Sequence, residues 1–542
     1  MKLHRELVLA DFHNAPSDSE FRATLNAHGL FNTQQFVLRL SPVVHRALAS
    51  VPAGIVSSSN MNFEQAQAMS TYLHETVHWW QHIGSTYGFL LSLNYPVQSH
   101  STHRDLKRLV ALNGFKKSVL KQSLPLNEQG PTGAGTAAGH ANFVVNTHFD
   151  LLAFRALTLG QGAKSLAQNE LFDSVGHAFH MTYANTLGIL ASTVDPAFSV
   201  IPDPRRWGQG FDDLRQRKVD GFHRDSPVDL WPIGSTEIFE GQARFCQIQY
   251  LSYASGHNLD WGEFRRLGML NGVYVKAFEQ FLHLTESQWP SAVSDSLVGL
   301  FLLVCELAIN PGRGFPYSVE PNYETFLLDA NPGARFFIVC RLIAVQHAAV
   351  KSAITKHDRT EYEEVTTLLS AAAKEHPPLI LSQTFSDWFS ETGKLSGLYS
   401  EFKAYKFQPL NYVIRHLFAH FLAFQKDKVG APEFFCWPGA WMAGANVSGR
   451  EMKLFESHSA PFVDREDDDG VFPRTQAERT DAEVDRAFQD FYRNTVVYGL
   501  VNQWIAEDGP FKYHMEWLKS GSSSVQQKHF LQDSFKDRKS VV

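Results

Sequence analysis

Cysteine is scarce in this chain. The 542 residues contain four cysteines, which lie far apart and form no Cys-x-x-Cys pair: Cys246, Cys305, Cys340 and Cys436. A disulfide framework or a cysteine-rich zinc cluster needs grouped cysteines, so the spacing excludes both. We therefore expect four buried free thiols in a reducing compartment, the cytoplasm.

Long apolar segments are also lacking. The longest apolar run, residues 297–309, is interrupted by Glu306 and is too short to span a bilayer. Residues 1–6 do not form the apolar region of a signal peptide. These absences predict a soluble, cytoplasmic protein with no membrane partner.

An excess of positive charge is missing as well. The formal net charge is −7, the pI is near 6.4, and the basic residues are dispersed. This balance excludes an electrostatic basis for nucleic-acid binding. Apolar residues make up 44% of the chain and include 42 Phe, which indicates a globular protein with a large core.

The chain does contain a recognisable metal-binding pattern. His74, Glu75 and His78 form a His-Glu-x-x-His motif. On a helix, two histidines four residues apart lie on one face, so both imidazoles can reach one Zn²⁺ ion. The glutamate beside the first histidine can act as general base on a metal-bound water. The motif predicts one zinc ion per chain and hydrolytic chemistry.

The surrounding residues predict that the motif lies on a helix. Asn62 is suited to cap its start, and Gln65 stands where it can complete a capping box. Apolar residues follow at steps of three and four and predict a buried stripe: Ala66, Met69, Leu73, Val77 and Trp80. Gly84 and Ser85 predict the end of the helix.

The third zinc ligand must come from a distant segment. His82 lies on the same helical face. His74, His78 and His82 stand on three successive turns, however, so the three imidazoles cannot all reach one ion. The metzincin pattern is excluded because Gln81 and Gly84 stand where that class has glycine and histidine.

A second predicted helix begins after the breaker residues 231–234 and is capped by Ser235 or Thr236. Its Glu240-Gly241-Gln242-Ala243 stretch resembles the gluzincins, zinc peptidases that take their third ligand from a glutamate on a second helix. The resemblance implies that Glu240 is the third ligand, and that the small Gly and Ala side chains let two helices approach around the ion.

Glu237, one turn before Glu240, is the alternative. It could be the ligand itself, or it could accept a hydrogen bond from a ligating imidazole. Arg244 could form an ion pair with Glu240 along the helix face. His223, Tyr250 and Tyr253 lie near this helix in sequence, but that proximity assigns none of them a catalytic role.

The fold class expected from these patterns is α+β and predominantly α-helical. The resemblance implies a zincin-like catalytic core with a small N-terminal sheet and a large helical C-terminal part. We divide the chain into four regions: residues 1–60, mixed and carrying the sheet; 61–260, the catalytic core; 261–430, a helical lobe; and 431–542, with an acidic loop, a last helix and a polar tail.

Individual elements are predicted along the chain from periodicity and breakers. Strands are expected at residues 6–10, 35–40 and 54–57. Further helices are expected at 89–93, 106–120, 149–159, 174–193, 295–309, 334–356, 361–374, 399–424 and 482–505. Residues 125–140 are predicted to be a flap or a connector. Residues 464–470 are predicted to be a solvated acidic loop within a mobile stretch from about 456 to 482.

Two further patterns resemble metal sites, but we do not predict a metal at either. His416 and His420 repeat the spacing of the motif without its glutamate, so we expect a pair of core or surface histidines and not a second metal site. The acidic stretch after Asp464 is unlike a calcium loop, because Arg465 occupies the position that needs an acid.

The function predicted from the sequence is a cytoplasmic zinc peptidase acting on peptides or proteins, with Glu75 as general base. Peptide deformylase also carries the motif, but its chains are much smaller and supply a cysteine ligand. The alternative from another class is a regulatory or partner-binding protein on a zincin scaffold, with a protein partner on the helical lobe.

Overall fold

Helices account for most of the structure. The computed structural model describes residues 2–9, 36–51, 61–160, 162–320, 322–390, 393, 395–443, 449–467, 470–475 and 479–512. The expectation of a predominantly helical protein with a small sheet is confirmed.

The helices are, in chain order, α1 (Arg5–Val8), α2 (Pro42–Ala49), α3 (Phe63–Gly84), α4 (Thr86–Ser92), α5 (Asn94–Asn113), α6 (Val119–Gln129), α7 (Ala137–Leu159), α8 (Ala163–Ala167), α9 (Val175–Val194), α10 (Gly208–Gln216), α11 (Ser235–Ala254), α12 (Trp261–Arg266), α13 (Val273–Leu284), α14 (Ser296–Ile309), α15 (Phe326–Ala330), α16 (Pro332–Val345), α17 (Arg359–Ala372), α18 (Pro378–Ser390), α19 (Ser396–Ala404), α20 (Tyr412–Gly430), α21 (Pro432–Cys436), α22 (Pro438–Ala443), α23 (Gly449–Ser457) and α24 (Asp481–Ala506). Among the described residues, two short 3-10 helices lie between them, Pro204–Arg206 and Ala348–Ser352.

A continuous hydrophobic core joins most of these helices, and a second, smaller cluster packs α5, α6, α7 and α24 together. The buried members of the larger core run from Leu3 to Leu500 and include residues of all four predicted regions. The division of the chain into those regions stays a prediction. The four cysteines are buried free thiols, as expected. In the part of the chain that the structure describes, no helix is both long enough and apolar enough to cross a membrane.

The sheet is small, and its composition differs from the expectation. Its strands are β1 (Val37–Leu38), β2 (Phe462–Val463) and β3 (Phe472–Pro473). β1 pairs with β2 in parallel, and β2 pairs with β3 in the antiparallel sense. The prediction of an N-terminal sheet was therefore wrong, because two of its three strands come from the C-terminal region.

Asp464 explains why these distant segments pair. Its carboxylate accepts hydrogen bonds from the backbone N–H of Leu40 at 3.1 and 3.2 Å and lies 2.8 Å from the His45 ring nitrogen. The Asp464 side chain is buried. The prediction of a solvated acidic loop holds for residues 465–467, which are exposed. It was wrong for Asp464, whose carboxylate serves as an internal hydrogen-bond acceptor.

Several other boundaries differ from prediction. Residues 6–10 were expected to form a strand, but residues 5–8 form α1, whose Leu7 and Val8 are both buried. A short apolar run does not distinguish a strand from one helical turn. The strand at 35–40 is reduced to β1, and residues 54–57 lie outside the described residues.

Two longer segments also differ from prediction. The predicted loop at 125–140 is shortened because α6 continues through Pro125 and α7 begins at Ala137. The helix predicted at 399–424 is two helices, α19 and α20. The chain turns between them at Tyr405 and Asn411, whose φ angles are 47° and 56°. Left-handed backbone at two non-glycine residues is hard to anticipate from periodicity.

The helix that carries the motif forms as predicted. Asn62 Oδ1 accepts a hydrogen bond from the Gln65 N–H at 2.9 Å, and Gln65 Oε1 accepts one from the Asn62 N–H at 3.0 Å. The predicted apolar stripe is buried. α3 ends at Gly84, whose carbonyl accepts a hydrogen bond from the Gln425 side chain of α20 at 2.8 Å.

The second site helix, α11, begins differently from the prediction. Its N-cap residue is Gly234, whose N–H donates to Glu237 Oε2 at 2.9 Å. Ser235 was expected to cap the helix, but its hydroxyl contacts the Tyr87 hydroxyl at 2.9 Å. The caps proposed at Ser235 or Thr236 were therefore wrong.

Gly241 also has a different role from the one expected. A Cβ added at this position would lie 3.2 Å from Ala277 Cβ and 3.2 Å from Phe301 Cζ. The glycine therefore makes room for α13 and α14, and not for the approach of α3.

A buried ion pair links α14 to α20. Lys428 Nζ lies 2.8 Å from Glu306 Oε1, and the Tyr362 hydroxyl donates to the same oxygen at 2.5 Å. Both charged side chains are only 4% exposed. This pair holds α20 in the position from which Gln425 caps α3.

Replacing Lys428 with Met is expected to destabilise the protein strongly, because Glu306 would remain buried without its cation. Breaking one partner of a buried pair typically costs about 3–5 kcal/mol. Thermal and denaturant unfolding would measure the loss. Lys121→Met is the matched control, since Lys121 and Asp508 are 72% and 61% exposed, and exposed pairs contribute about 1 kcal/mol or less. Equal losses in both variants would contradict this account of the ion pair.

Candidate metal centre

The candidate centre lies where α3 and α11 pack side by side. α3 contributes His74 and His78, one turn apart, and α11 contributes Glu240. All three side chains are buried, and Glu240 is 0% exposed. The structure therefore brings together the two histidines of the motif and the distant glutamate that the gluzincin resemblance implied.

The ligand atoms converge on one point. The Nε2 atoms of His74 and His78 are 3.2 Å apart. Glu240 Oε1 lies 3.5 Å from His78 Nε2, and Oε2 lies 3.8 Å from His74 Nε2. In a tetrahedral zinc site with bonds of ~2.0–2.1 Å, neighbouring ligand atoms lie roughly 3.3 Å apart. The three side chains fit one zinc ion.

The hydrogen bonding of Glu240 supports the same conclusion. Both of its carboxylate oxygens are buried and accept no hydrogen bond. Burying an unsatisfied carboxylate is costly, and buried charges are normally paired or coordinate metals. Among the described residues, no other three His, Cys, Asp or Glu side chains come as close together. A cation between these side chains would supply the missing partner.

The two histidines respond oppositely to their surroundings. Burial lowers the pKa of His74 well below its usual value, and the charges of Arg244 and His78 lower it further. Burial also acts to lower the pKa of His78, but the Glu240 and Glu75 carboxylates and the Gln81 side chain together outweigh burial and raise that pKa above its usual value. Only one of two imidazoles in contact can carry a proton easily. A divalent cation would replace that proton.

Glu75 lies beside this group and is buried. Burial raises the pKa of Glu75 to about 8; His78 opposes the rise, and Glu240 adds to it. Its Oε2 atom has no hydrogen-bond partner. A carboxyl group whose pKa lies near neutral pH is suited to accept and release a proton during catalysis.

Glu237 is not part of the group. Besides capping Gly234, its carboxylate lies 2.8 Å from Lys276 Nζ. It is neither a neighbour of the three side chains nor an acceptor for an imidazole. The structure assigns it to the start of α11, and the sequence allowed this role because glutamate at the third helical position typically completes a cap.

Arg244 also differs from the expectation of an ion pair with Glu240. Its guanidinium donates to the carbonyl of Val8 and to the Gln247 side chain, and it lies 4.2 Å from the centre of the Tyr274 ring. Tyr274 is half-buried, and its ring centre is 6.2 Å from that of His74. Sequence reasoning missed Tyr274, because it stands 34 positions after Glu240 on α13 without a motif.

Gln81 was also missed as a site residue. Its Oε1 atom lies 2.8 Å from His78 Nδ1, and its Nε2 atom donates to Phe239 O at 2.8 Å and to Gln242 Oε1 at 2.9 Å. Spacing contained the signal, since residues three apart on a helix are neighbours.

Among the residues that the structure describes, the other histidine pair has no third side chain with which to form a metal group. His416 and His420 are buried among aromatic rings, including Tyr405 and Phe407, and are 4.6 Å apart between ring centres. Burial lowers the pKa of His416 to about 3, so the ring is neutral. Of the two placements expected for this pair, core or surface, the structure shows the core.

Comparison of the chain with models of protein families, with curated proteins and with solved structures finds no match.

Proposed function

We propose that this chain is a zinc-dependent peptidase with a zincin-like core of the gluzincin type. In this proposal His74, His78 and Glu240 hold one Zn²⁺ ion, and Glu75 is the general base. The observation that carries the proposal is the convergence of two imidazole nitrogens and an unpartnered buried carboxylate next to a second buried glutamate.

The donor set favours a catalytic ion over a structural one. Structural zinc sites usually have four protein ligands, whereas catalytic sites have three and keep a position for water or substrate. In the part of the chain that the structure describes, the group has three ligands, two from imidazole and one from a carboxylate. A structural site would also have no use for Glu75.

In the proposed hydrolysis the zinc ion and the side chains of the protein have separate roles. When bound, zinc would act as a Lewis acid toward the scissile carbonyl and the attacking water. Glu75 would take the proton of that water and return it to the leaving amine. Its raised pKa of about 8 in the absence of a cation reflects burial, and a nearby positive charge favours the ionised form that a base needs.

Tyr274 is the proposed donor of a hydrogen bond to the carbonyl oxygen as negative charge develops there. Its ring centre lies 6.2 Å from that of His74 and 4.2 Å from the Arg244 guanidinium. Such donors contribute strongly because they act in a site with little water. Burial raises the pKa of Tyr274, so the phenol keeps its proton at neutral pH.

Peptides or proteins are the proposed substrates, and the cytoplasm is the proposed compartment. The buried free thiols are consistent with a reducing environment. No part of the proposal requires a nucleic acid or a membrane.

The test is cleavage of a proteome-derived peptide library, read by mass spectrometry as new peptide termini. Zinc-loaded protein is expected to produce a reproducible set of cleavages that a chelator abolishes and added Zn²⁺ restores. Cleavages that persist in excess chelator would indicate a contaminating or metal-independent peptidase. No cleavage by zinc-loaded, folded protein would overturn the peptidase proposal and favour a binding role for the scaffold.

A further inference from the structure

Gln81 occupies a position that links both ligand-bearing helices. It lies on α3, one turn after His78, and its side chain is 3% exposed. Its amide reaches His78 on its own helix and two acceptors on α11, Phe239 and Gln242. Phe239 immediately precedes Glu240 in the chain.

The orientation of the Gln81 amide follows from chemistry alone. A backbone carbonyl can only accept a hydrogen bond, so the group that faces Phe239 O at 2.8 Å must be the NH₂ of Gln81. The amide oxygen must therefore face His78 Nδ1 at 2.8 Å. That oxygen can only accept, which makes Nδ1 the protonated nitrogen of the His78 ring.

The tautomer of His78 has a direct consequence at the candidate centre. A neutral imidazole with its proton on Nδ1 carries the free lone pair on Nε2. His78 Nε2 is the atom that faces His74 and Glu240 at 3.2 and 3.5 Å. The other tautomer would direct an N–H at the ion and prevent coordination.

We propose that Gln81 is a positioning residue for the metal centre: its amide holds His78 in the Nδ1–H tautomer and fastens the ring to the α11 backbone beside Glu240. Gln242 completes the arrangement by accepting the second N–H of the amide. This inference rests on the proposed zinc site, and it adds a neutral amide as the group that orients a ligating imidazole.

Gln81→Met tests the role, because methionine fills a similar volume without hydrogen-bonding groups. Loss of a group that orients a ligating histidine typically lowers metal affinity roughly 10–100-fold. We expect a loss of this size in zinc affinity, measured by competition with a chromophoric chelator. Affinity within about twofold of wild type would overturn the proposal.

Gln425→Met is the matched control. Gln425 is also a buried glutamine whose amide donates to an α3 carbonyl, that of Gly84, and accepts from the Ser382 hydroxyl. Its loss disturbs the same helix without touching a ligand. We expect both variants to unfold at lower temperature and only Gln81→Met to lose zinc affinity. Equal losses of affinity would show a general effect on α3 and overturn the specific role.

A second readout does not depend on zinc. Nitrogen-15 NMR of labelled histidine in the metal-free protein at pH 9 reports the tautomer of each ring, with the His78 signals assigned by their loss in His78→Gln. We expect the Nδ1–H form in the wild type and in Gln425→Met, and a mixture or the Nε2–H form in Gln81→Met. An Nε2–H ring in the wild type would refute the inference. If the wild type showed the Nδ1–H form but bound no zinc, the proposed function would fail while the hydrogen-bond arrangement stood.

Discussion

Replacing Glu75 with Gln is expected to reduce peptide hydrolysis by about 10²–10⁴-fold, the usual contribution of a general base. Zinc should remain bound, because the amide leaves all three ligands in place. The fold should persist as well: burial raises the pKa of Glu75 to about 8, so the metal-free site already accommodates a neutral side chain. The measurement is kcat/KM on a peptide identified in the library screen, together with zinc content.

Glu64→Gln is the control for this substitution. Glu64 lies on the same helix but is exposed in its first turn. Its replacement should leave both activity and zinc content unchanged. A Glu75→Gln protein that retains zinc and cleaves peptides as fast as the wild type would remove Glu75 from the mechanism.

Replacing Glu240 with Ala is expected to cause the largest loss of metal binding. Four-ligand zinc sites bind with roughly 10–16 kcal/mol in total, so one ligand contributes on the order of 3–4 kcal/mol, or about 10²–10³-fold in affinity. The metal-free variant should not be less stable than the metal-free wild type, because the substitution removes a buried carboxylate that accepts no hydrogen bond. Zinc titration and thermal unfolding measure both effects.

Glu237→Ala separates the role of a ligand from a general effect on α11. Glu237 lies one turn earlier, caps the helix and pairs with Lys276. Loss of a cap typically costs about 1 kcal/mol of stability. We expect this variant to unfold at a lower temperature and to bind zinc like the wild type. A greater loss of zinc in Glu237→Ala than in Glu240→Ala would reverse the assignment of the ligand.

The helix that carries the motif could be predicted closely from local information. Its capping box, its buried stripe and its end at Gly84 all follow from residues within one or two turns of one another. The capping residues of α11 were harder to identify, because glycine, serine and threonine stand in adjacent positions and all occur as caps. Tertiary contacts decide between them: the Ser235 hydroxyl is engaged with Tyr87.

The position of Glu240 beside the motif followed from a resemblance and not from spacing. No local pattern in the 161 residues between His78 and Glu240 predicts that α3 and α11 pack together. The reason given for Gly241 was wrong even though the neighbouring Glu240 lies where it was expected. The glycine is needed because a side chain at this position would crowd Ala277 and Phe301, which belong to the later helices α13 and α14.

The remaining parts of the site depend on long-range contacts that leave little trace in one sequence. β1 pairs with a strand more than 400 residues away, and buried Asp464 joins the two segments. Tyr274 reaches the centre from α13, where no periodic pattern distinguishes it from its neighbours. The contact of Gln81 with His78 could have been predicted, because residues three apart on a helix are neighbours.

The most direct test of the account is the zinc content of the wild-type protein, combined with X-ray absorption at the zinc edge. We expect one zinc ion per chain with a first coordination shell of nitrogen and oxygen only, since the proposed ligands are His74, His78 and Glu240. A folded protein that takes up no zinc from a metal-supplemented medium, or a zinc ion with sulfur in its first shell, would contradict the assigned centre.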